Sequence, residues 1–542
     1  MGGSRKSEKN KGLMQGVLVL MPAALFTKCV GLFYKIPLLF IVGVEGMAYF
    51  LAAYHVYSLL FALCATGLPT ALSLQVSGAL ARGEYRAVRR ILGVSLVLFL
   101  SVGLGGTLLL AAFANPLAAR LAMPSAAAAL LAIAPALALS AFIGAAKGYF
   151  PGHSKMGATA VCEVLEALGK LVFGLGFALY GKRLGLPAPQ IAALAVLGIT
   201  VGLALSALFL LVLLLRDLWQ GRARLRDNAP CPTRRTVLSS LLRVALPVTL
   251  GASVMSLVTL LDTALISSRL QALGTAPDTA NMLYSSYGNL AVPLYNLVPS
   301  LLAPVTLSLT PLFCRAFVQR DTAAMRGTLV TAWRIVLLVG VPASMALSLF
   351  STPLLSMIYA GQESAILVAE PLLSVLALAV LPCCMMALTG ACCQATGHVM
   401  LPVAAMGAGA LVKLLSEYFL LAVPQLGMRA VPLSTLFCTL TVLVIEWVGL
   451  SRILWFPVLC ARDLFRPLLA GSGGTAAGLL LYLLLQHTLG STRFVMLPVA
   501  AFAALCVLLF ALLLGALQKS DLQALPRGER LVLLLQKIKL LK

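Results

Sequence analysis

Apolar runs long enough to cross a lipid bilayer recur along this chain from Gly12 to about Leu514, and they restrict it to a membrane fold. A helix spans the hydrocarbon layer with about 20 apolar residues and satisfies its own backbone hydrogen bonds there. Hydrophobic residues make up 61% of the chain, and the mean hydropathy is +1.01. We therefore predict an all-α polytopic membrane protein with about 14 transmembrane helices. Their centres lie near residues 27, 61, 103, 138, 169, 203, 253, 299, 340, 380, 411, 440, 476 and 504.

The net charge of +23 comes from basic residues that fall mostly on one side of these predicted helices. With an intracellular N-terminus, 30 of the 40 Lys and Arg residues lie in intracellular segments and six lie in extracellular loops. This asymmetry is typical of positive-inside topology, and it predicts that both termini are cytoplasmic. We expect the basic segments to contact anionic membrane lipids, and we expect no nucleic acid partner.

The two halves of the chain repeat one pattern at an offset of 234 to 247 residues, which indicates an internal duplication. Four matches keep their order: Lys28 and Lys35 with Asp262 and Arg269, the segment from Tyr57 with that from Tyr295, Gly152–His153 with Gly397–His398, and Glu166 and Lys170 with Lys413 and Glu417. Because each repeat holds an even number of spans, six, we predict two parallel six-helix repeats followed by two C-terminal helices.

The repeat also sets the predicted domain boundaries. They are a basic cytoplasmic N-terminal tail (1–12), an N-terminal six-helix lobe (13–215), a charged cytoplasmic linker (216–235), a C-terminal six-helix lobe (236–455), two additional transmembrane helices (456–516) and a cytoplasmic tail with an amphipathic helix (517–542). This last tail alternates basic and leucine positions, which is typical of a helix that lies along a membrane surface.

Two lysines lie inside the first apolar run, where a lone charge normally faces a wet cavity or a partner. Lys28 and Lys35 are seven residues apart, so they share one helix face at a separation of about 10 Å. Asp262 and Arg269 repeat this spacing in the second half, and we predict that all four line a substrate-binding cavity. The alternatives are that Lys35 extends to the outer surface and that Lys28 pairs with an acid on another helix.

A second group of charged residues lies in the fifth and eleventh spans. Glu166 and Lys170 are four residues apart with the acid first, the order that favours a salt bridge on one helix. Glu163 is then the better candidate for ion coupling, with Na⁺ or H⁺ as the coupling ion. Lys413 and Glu417 repeat the pair with reversed polarity and are expected to neutralise each other. Glu446, in the twelfth span, is isolated, and the pattern assigns it no role.

Gly67 and Pro69 interrupt the second span, and prolines at positions 293, 299, 304 and 311 interrupt its counterpart. Proline removes a backbone donor and bends a helix, so Gly67 and Pro69 are candidate hinge residues, with a static kink as the alternative. The segment ARGEYRAVRR, which follows this span, reads either as a solvated basic loop or as a site for phosphate head groups.

The 12 cysteines do not form a metal site by spacing. Most lie within the predicted spans, and no loop carries a Cys/His set with the spacing of metal ligands. We interpret them as small buried hydrophobes. We expect no metal, no cofactor and no catalytic residues.

Three stretches carry a resemblance to a known family: TKCVGLFYKIPLLFIVGVEGMAYF, TGLPTALSLQVSGALARGEYRAVRRIL and AAKGYFPGHSKMGATAVCEVLEALGK. They resemble the stage V sporulation protein B group of polysaccharide biosynthesis proteins over roughly residues 13–455. That group lies in the multidrug/oligosaccharidyl-lipid/polysaccharide exporter superfamily. Lys28 and Lys35 match its basic positions in the first helix, and Glu163 and Glu166 match its acidic fifth-helix motif. Lys170 stands where an arginine is more usual.

This resemblance implies a two-lobed transporter of the bacterial plasma membrane that is functional as a monomer. Its expected substrate is a polyprenyl-diphosphate-linked cell-wall or polysaccharide precursor, with lipid II as the specific candidate. The lobes would turn the head group from the inner to the outer leaflet by alternating access around a cationic cavity. The first alternative is a cation-coupled multidrug exporter of the same superfamily. The second is a membrane glycan transferase, which would carry a large external loop with clustered Asp, Glu, His or Arg, whereas the predicted external loops here are short and nearly without such residues.

Overall fold

The computed structural model describes residues 2–65, 67–153, 155–220, 232–454, 461–489 and 495–516. Within these ranges the chain is helical throughout, apart from short turns, and contains no strand. The all-α prediction is therefore confirmed. By its internal contacts the chain divides into two compact units, residues 1–285 and residues 286–542.

The first unit contains eight described α-helices. They are α1 (Gly2–Ala65), α2 (Gly67–Ala81), α3 (Tyr85–Arg120), α4 (Ala127–Gly152), α5 (Met156–Arg183), α6 (Ala188–Gln220), α7 (Arg234–Ala272) and α8 (Pro277–Ser285).

The second unit opens with a π-helical turn, Ser286–Ala291, and continues through nine described α-helices. They are α9 (Val292–Val318), α10 (Thr322–Leu349), α11 (Ser351–Ile358), α12 (Glu363–Leu376), α13 (Val380–Ala395), α14 (Met400–Leu420), α15 (Ala430–Leu454), α16 (Ala461–Leu489) and α17 (Met496–Leu513).

The described residues include nine stretches that are long and apolar enough to cross a membrane. All 14 of the predicted centres lie in helices, with the centres near 27 and 61 both in α1. The total of 14 crossings stays a prediction. Charge explains part of the difference, since α5 carries Glu163, Glu166 and Lys170 within about two turns. The predicted C-terminal amphipathic helix and most of the linker lie outside the described residues.

The domain boundary predicted from the repeat differs from the boundary between the two compact units. The predicted N-terminal lobe ends at residue 215, and α7 belongs to the second repeat by sequence. In the structure, however, α7 packs against α1 and α2, so it is part of the first compact unit. The assignment of two six-helix repeats therefore stays a prediction.

Glycines allow the helices of the first unit to approach closely. A methyl group at Gly169 would lie 2.6 Å from Cα of Gly202, and one at Gly198 would overlap the backbone of Gly174. Close crossings between small residues are the usual way in which helices associate in a membrane, because lipid removes the hydrophobic driving force. These contacts fix α5 against α6.

A hydrogen-bonded triad ties three helices of the first unit together. Nδ1 of His55 on α1 lies 2.8 Å from the Thr263 hydroxyl on α7 and 3.0 Å from the Tyr284 hydroxyl on α8. The two hydroxyls are 2.9 Å apart. Buried polar groups are costly without such partners, so the triad fixes the positions of α1, α7 and α8 relative to one another.

Candidate functional site

A charged cavity of about 220 Å³ lies among α1, α4 and α5 of the first unit. Its lining residues are Thr27, Val30, Gly31, Tyr34, Lys147, Glu163, Glu166, Ala167 and Lys170. We call this cavity the lysine pocket. Two carboxylates and two ammonium groups therefore share one cavity among these three helices.

Lys147 forms ion pairs with both acids of the lysine pocket. Its Nζ lies 3.8 Å from Oε1 of Glu163 and 3.7 Å from Oε2 of Glu166. The predicted topology counts Lys147 among the basic residues of the intracellular segments, and the structure places it within α4. The expected salt bridge of Glu166 with Lys170 is wrong, because one lysine from the neighbouring helix contacts both Glu163 and Glu166.

Lys170 is held by aromatic rings. Its ammonium lies 4.9 Å from the ring centroid of Tyr34 and 5.3 Å from that of Tyr54. Cations are attracted to the negative faces of such rings. Among the described residues, no carboxylate lies within salt-bridge distance of Lys170. The lysine pocket thus contains a cation that is not in ion-pair contact with an acid.

Lys35 lies close to this cation. It is half-buried on α1, and its charge repels that of Lys170. Two like charges in one apolar region favour a bound anion, because an anion relieves both the repulsion and the burial cost. The side chain of Lys28 lies outside the described residues, although its helix contributes Thr27 and Gly31 to the lysine pocket.

The structure does not bring the other predicted cavity residues into the lysine pocket. Asp262 and Arg269 are half-buried on α7, and each takes part in polar or electrostatic interactions. Lys413 and Glu417 are buried on α14 of the second unit and interact electrostatically with each other, as expected. Glu417 also accepts a hydrogen bond from the Ser434 hydroxyl at 3.3 Å.

Gly67 is a packing position as well as a candidate hinge. It is the first residue of α2, and a methyl group there would overlap the carbonyl oxygen of Ala245 on α7. Pro69, two residues later, contacts α4, since a methyl group at Gly148 would lie 2.8 Å from its carbonyl oxygen. Both residues therefore fix α2 against its neighbours, and their hinge role stays a prediction.

A basic groove with an apolar wall lies where α3 meets the start of α7. It encloses about 1180 Å³, and its basic residues are Arg86, Arg89, Arg90, Arg234 and Arg235. Val94, Val97 and Leu98 line it on the following turns of α3. We call it the arginine groove. Guanidinium groups bind phosphate bidentately, and the apolar wall suits a lipid chain.

The sequence did not predict Lys147 as a site residue, because Lys147 lies where the apolar run of α4 ends. A signal was present, since Lys147 follows 20 residues of α4 that contain no charge. The sequence also did not predict the contact of Lys170 with Tyr34 and Tyr54, because both tyrosines are more than 100 residues away in sequence.

An all-helical chain with many apolar spans is a polytopic membrane protein, and this one has a charged cavity among its helices. A family model described as polysaccharide biosynthesis protein matches residues 13–317. The chain belongs to this family. A second model, MatE, matches residues 286–419.

Two named proteins that are similar in sequence support this family assignment. Stage V sporulation protein B of Bacillus subtilis (strain 168) is 25% identical over 367 residues, which is 66% of this chain and 68% of the relative. Lipid II flippase MurJ of the same organism is 27% identical over 171 residues, 30% of this chain and 31% of the relative.

Solved structures share the fold. Lipid II flippase MurJ in an inward closed conformation gives a TM-score of 0.67 at 15% identity, covering 91% of this chain and 98% of that one. An inward-facing multidrug resistance MATE family transporter of the MOP superfamily gives 0.65 at 15% identity, covering 80% and 94%. The chain therefore has the fold of these membrane transporters.

Proposed function

We propose that this protein is a flippase of the bacterial plasma membrane for a polyprenyl-diphosphate-linked saccharide, with lipid II as the specific candidate. Both termini are cytoplasmic in this proposal, and the protein acts as a monomer. The substrate enters from the inner leaflet and leaves in the outer leaflet. A diphosphate–sugar head group cannot cross about 30 Å of hydrocarbon unaided, because its charge would lose its hydration.

The observation that carries the proposal is the state of Lys170. An ammonium group inside the helices, without a carboxylate at salt-bridge distance among the described residues, is available to a phosphate. Lysine binds phosphate as a point charge. Tyr34 and Tyr54 hold the ammonium in place without neutralising it, and Lys35 adds a second charge nearby.

The paired acids give the lysine pocket a way to change its charge. When Lys147 contacts Glu163 and Glu166, only Lys170 and Lys35 are left to attract an anion. If a coupling ion, Na⁺ or H⁺, neutralises one acid, the lysine pocket loses one negative charge and attracts the diphosphate more strongly. Movement of the two predicted lobes would then expose the bound head group to each leaflet in turn.

The arginine groove is the proposed first contact for the head group. Its five arginines offer phosphate-binding groups, and its apolar wall offers a surface for the prenyl chain. In the positive-inside topology this groove faces the inner leaflet, where the lipid-linked precursor is made.

Binding of the substrate tests the proposal. The full-length protein in lipid nanodiscs is titrated with a polyprenyl-diphosphate saccharide, with the polyprenyl monophosphate and with the uncharged polyprenol, and bound lipid is counted by native mass spectrometry. We expect affinity to fall in that order, and we expect Lys170→Gln to weaken diphosphate binding about tenfold, the effect of about 1.4 kcal/mol. The matched control is Lys182→Gln, at the exposed end of α5.

The multidrug exporter is the competing function, and the MatE match favours it. It predicts a different result in the same experiment: binding of lipophilic organic cations, with Lys170→Gln strengthening that binding because a repelling charge is removed. Equal binding of polyprenol and the diphosphate would also contradict the flippase proposal.

A further inference from the structure

A buried acid in the second unit has no role in the proposal above. Glu446 on α15 is only 2% exposed, and its carboxyl group lines a cavity of about 280 Å³. The other lining residues are Thr306, Thr310, Met386, Ala387, Gly390, Ala391, Gln394, Pro402 and Met406. Gln394 is exposed, so the cavity reaches the surface of the unit near the turn between α13 and α14.

The contacts of Glu446 do not balance a negative charge. Among the described residues its only hydrogen-bond partner is the Thr389 hydroxyl, 2.6 Å from Oε2, and it forms no ion pair. The titratable groups nearest to it on α13 are the thiols of Cys392 and Cys393, which carry no positive charge. Lys413 on α14 interacts with Glu417 instead.

Counting hydrogens at Thr389 shows that this site can accommodate the protonated acid. The hydroxyl has one hydrogen, and it lies 3.1 Å from the carbonyl oxygen of Met386 and 3.2 Å from that of Met385, groups that only accept. If the hydroxyl donates to a carbonyl, as threonine commonly does in helices, then the carboxyl must donate to the hydroxyl. That arrangement requires a protonated Glu446 and satisfies every hydrogen.

The threonines that line the cavity are poor partners for an anion. The Thr306 hydroxyl donates to the carbonyl oxygen of Ala303 at 2.7 Å, and that of Thr310 donates to the carbonyl oxygen of Thr306 at 2.8 Å. Their hydrogens are used within α9, so they present lone pairs to the cavity. Lone pairs repel a carboxylate but accept a hydrogen bond from an acid or a water molecule.

We propose that Glu446 is a proton-binding site of the second unit. An ionised carboxylate at this depth, with neutral neighbours, would cost several kcal/mol, whereas the neutral acid completes a hydrogen-bond chain to Thr389 and Met386. The proton reaches Glu446 through the cavity that opens beside Gln394. This site is separate from the lysine pocket, and the inference does not depend on the flippase proposal.

Infrared spectroscopy of the full-length protein in nanodiscs at neutral pH tests this directly. A protonated carboxyl gives one C=O stretching band, whereas a carboxylate gives two bands at lower frequency. We expect the difference spectrum between the wild type and Glu446→Gln to contain the single band. Glu363→Gln, which removes an exposed acid at the start of α12, should remove carboxylate bands instead.

A second variant keeps the test decisive if Glu446→Gln fails to fold. Thr389→Val removes the hydrogen-bond partner, so the protonated-carboxyl band should move to higher frequency. If Glu446→Gln removes only carboxylate bands, or if Thr389→Val leaves every protonated-carboxyl band unmoved, the proposal is overturned. It is also overturned if the Glu446 band appears only after Na⁺ is replaced by choline, since the site would then bind a metal cation.

Discussion

Nζ of Lys147 on α4 lies 3.7 Å from Oε2 of Glu166 on α5, and this ion pair joins the two helices inside the membrane fold. Glu163, one turn earlier on α5, lies 3.8 Å from the same ammonium. One lysine therefore sets the charge of the lysine pocket, and its removal leaves two carboxylates facing each other.

The first prediction concerns this ion pair. Lys147→Gln should lower the melting temperature, because two acids then repel in a half-buried space, and a second substitution, Glu166→Gln, should restore part of the loss. A double-mutant cycle should give a coupling energy of about 1 kcal/mol, because both side chains are partly exposed and water screens the pair. Additive effects of the two substitutions would contradict the assignment.

Helix packing gives the second prediction. Gly198→Ala should destabilise the first unit by about 1–3 kcal/mol, the usual cost of forced overpacking, because the added methyl group would overlap the backbone of Gly174. Gly176→Ala is the matched control on α5, since nothing lies within 4 Å of its added methyl group. It should be neutral or stabilising, given the higher helix propensity of alanine. Thermal unfolding in detergent measures both, and equal melting temperatures would refute the close crossing.

The sequence predicts an interaction in this fold when the two residues are close together in the chain, and fails when they are far apart. Apolar runs predict where helices form, because the bilayer itself imposes that pattern. The sequence also predicts that Lys413 and Glu417 interact, since they are neighbours on one helix. It fails for Glu166, whose partner is on another helix, and for Lys170, whose aromatic partners come from α1. A partner on another helix can be identified only when the packing of the two helices is known. The spacing of charges within one helix carries no information about that packing.

The third prediction separates the ring of Tyr34 from its hydroxyl group. Tyr34→Phe keeps an aromatic face beneath Lys170, so binding of a diphosphate lipid should stay within about twofold of the wild type. Tyr34→Leu removes the face and leaves the ammonium less well positioned, so affinity should fall about tenfold. Isothermal titration with the diphosphate lipid measures both variants. If Tyr34→Phe and Tyr34→Leu lose affinity equally, the ring does not position Lys170.

The fourth prediction concerns the arginine groove. Replacing Arg86, Arg89 and Arg235 together by Gln should reduce retention of anionic phospholipid by the purified protein, since each arginine near a negative surface contributes about 1 kcal/mol. Arg183→Gln, in the last turn of α5 and not among the residues that line the groove, is the control. Native mass spectrometry counts the retained lipids. Arg90 is left unchanged, because it donates to the carbonyl oxygen of Pro232 and supports the start of α7. Unchanged retention in the triple variant would show that the groove binds no lipid phosphate.

The most direct test of the flippase proposal is a measurement of lipid translocation. Proteoliposomes that contain the full-length protein and a fluorescent polyprenyl-diphosphate saccharide are treated with a membrane-impermeant quencher, and the rate at which lipid reaches the outer leaflet is measured. We expect rapid transfer by the wild type, a rate at least about tenfold lower for Lys170→Gln, and substantial recovery with Lys170→Arg, which restores the charge. Transfer by Lys170→Gln at the wild-type rate, with the protein inserted and folded, would contradict the claim that this unneutralised cation carries the diphosphate head group.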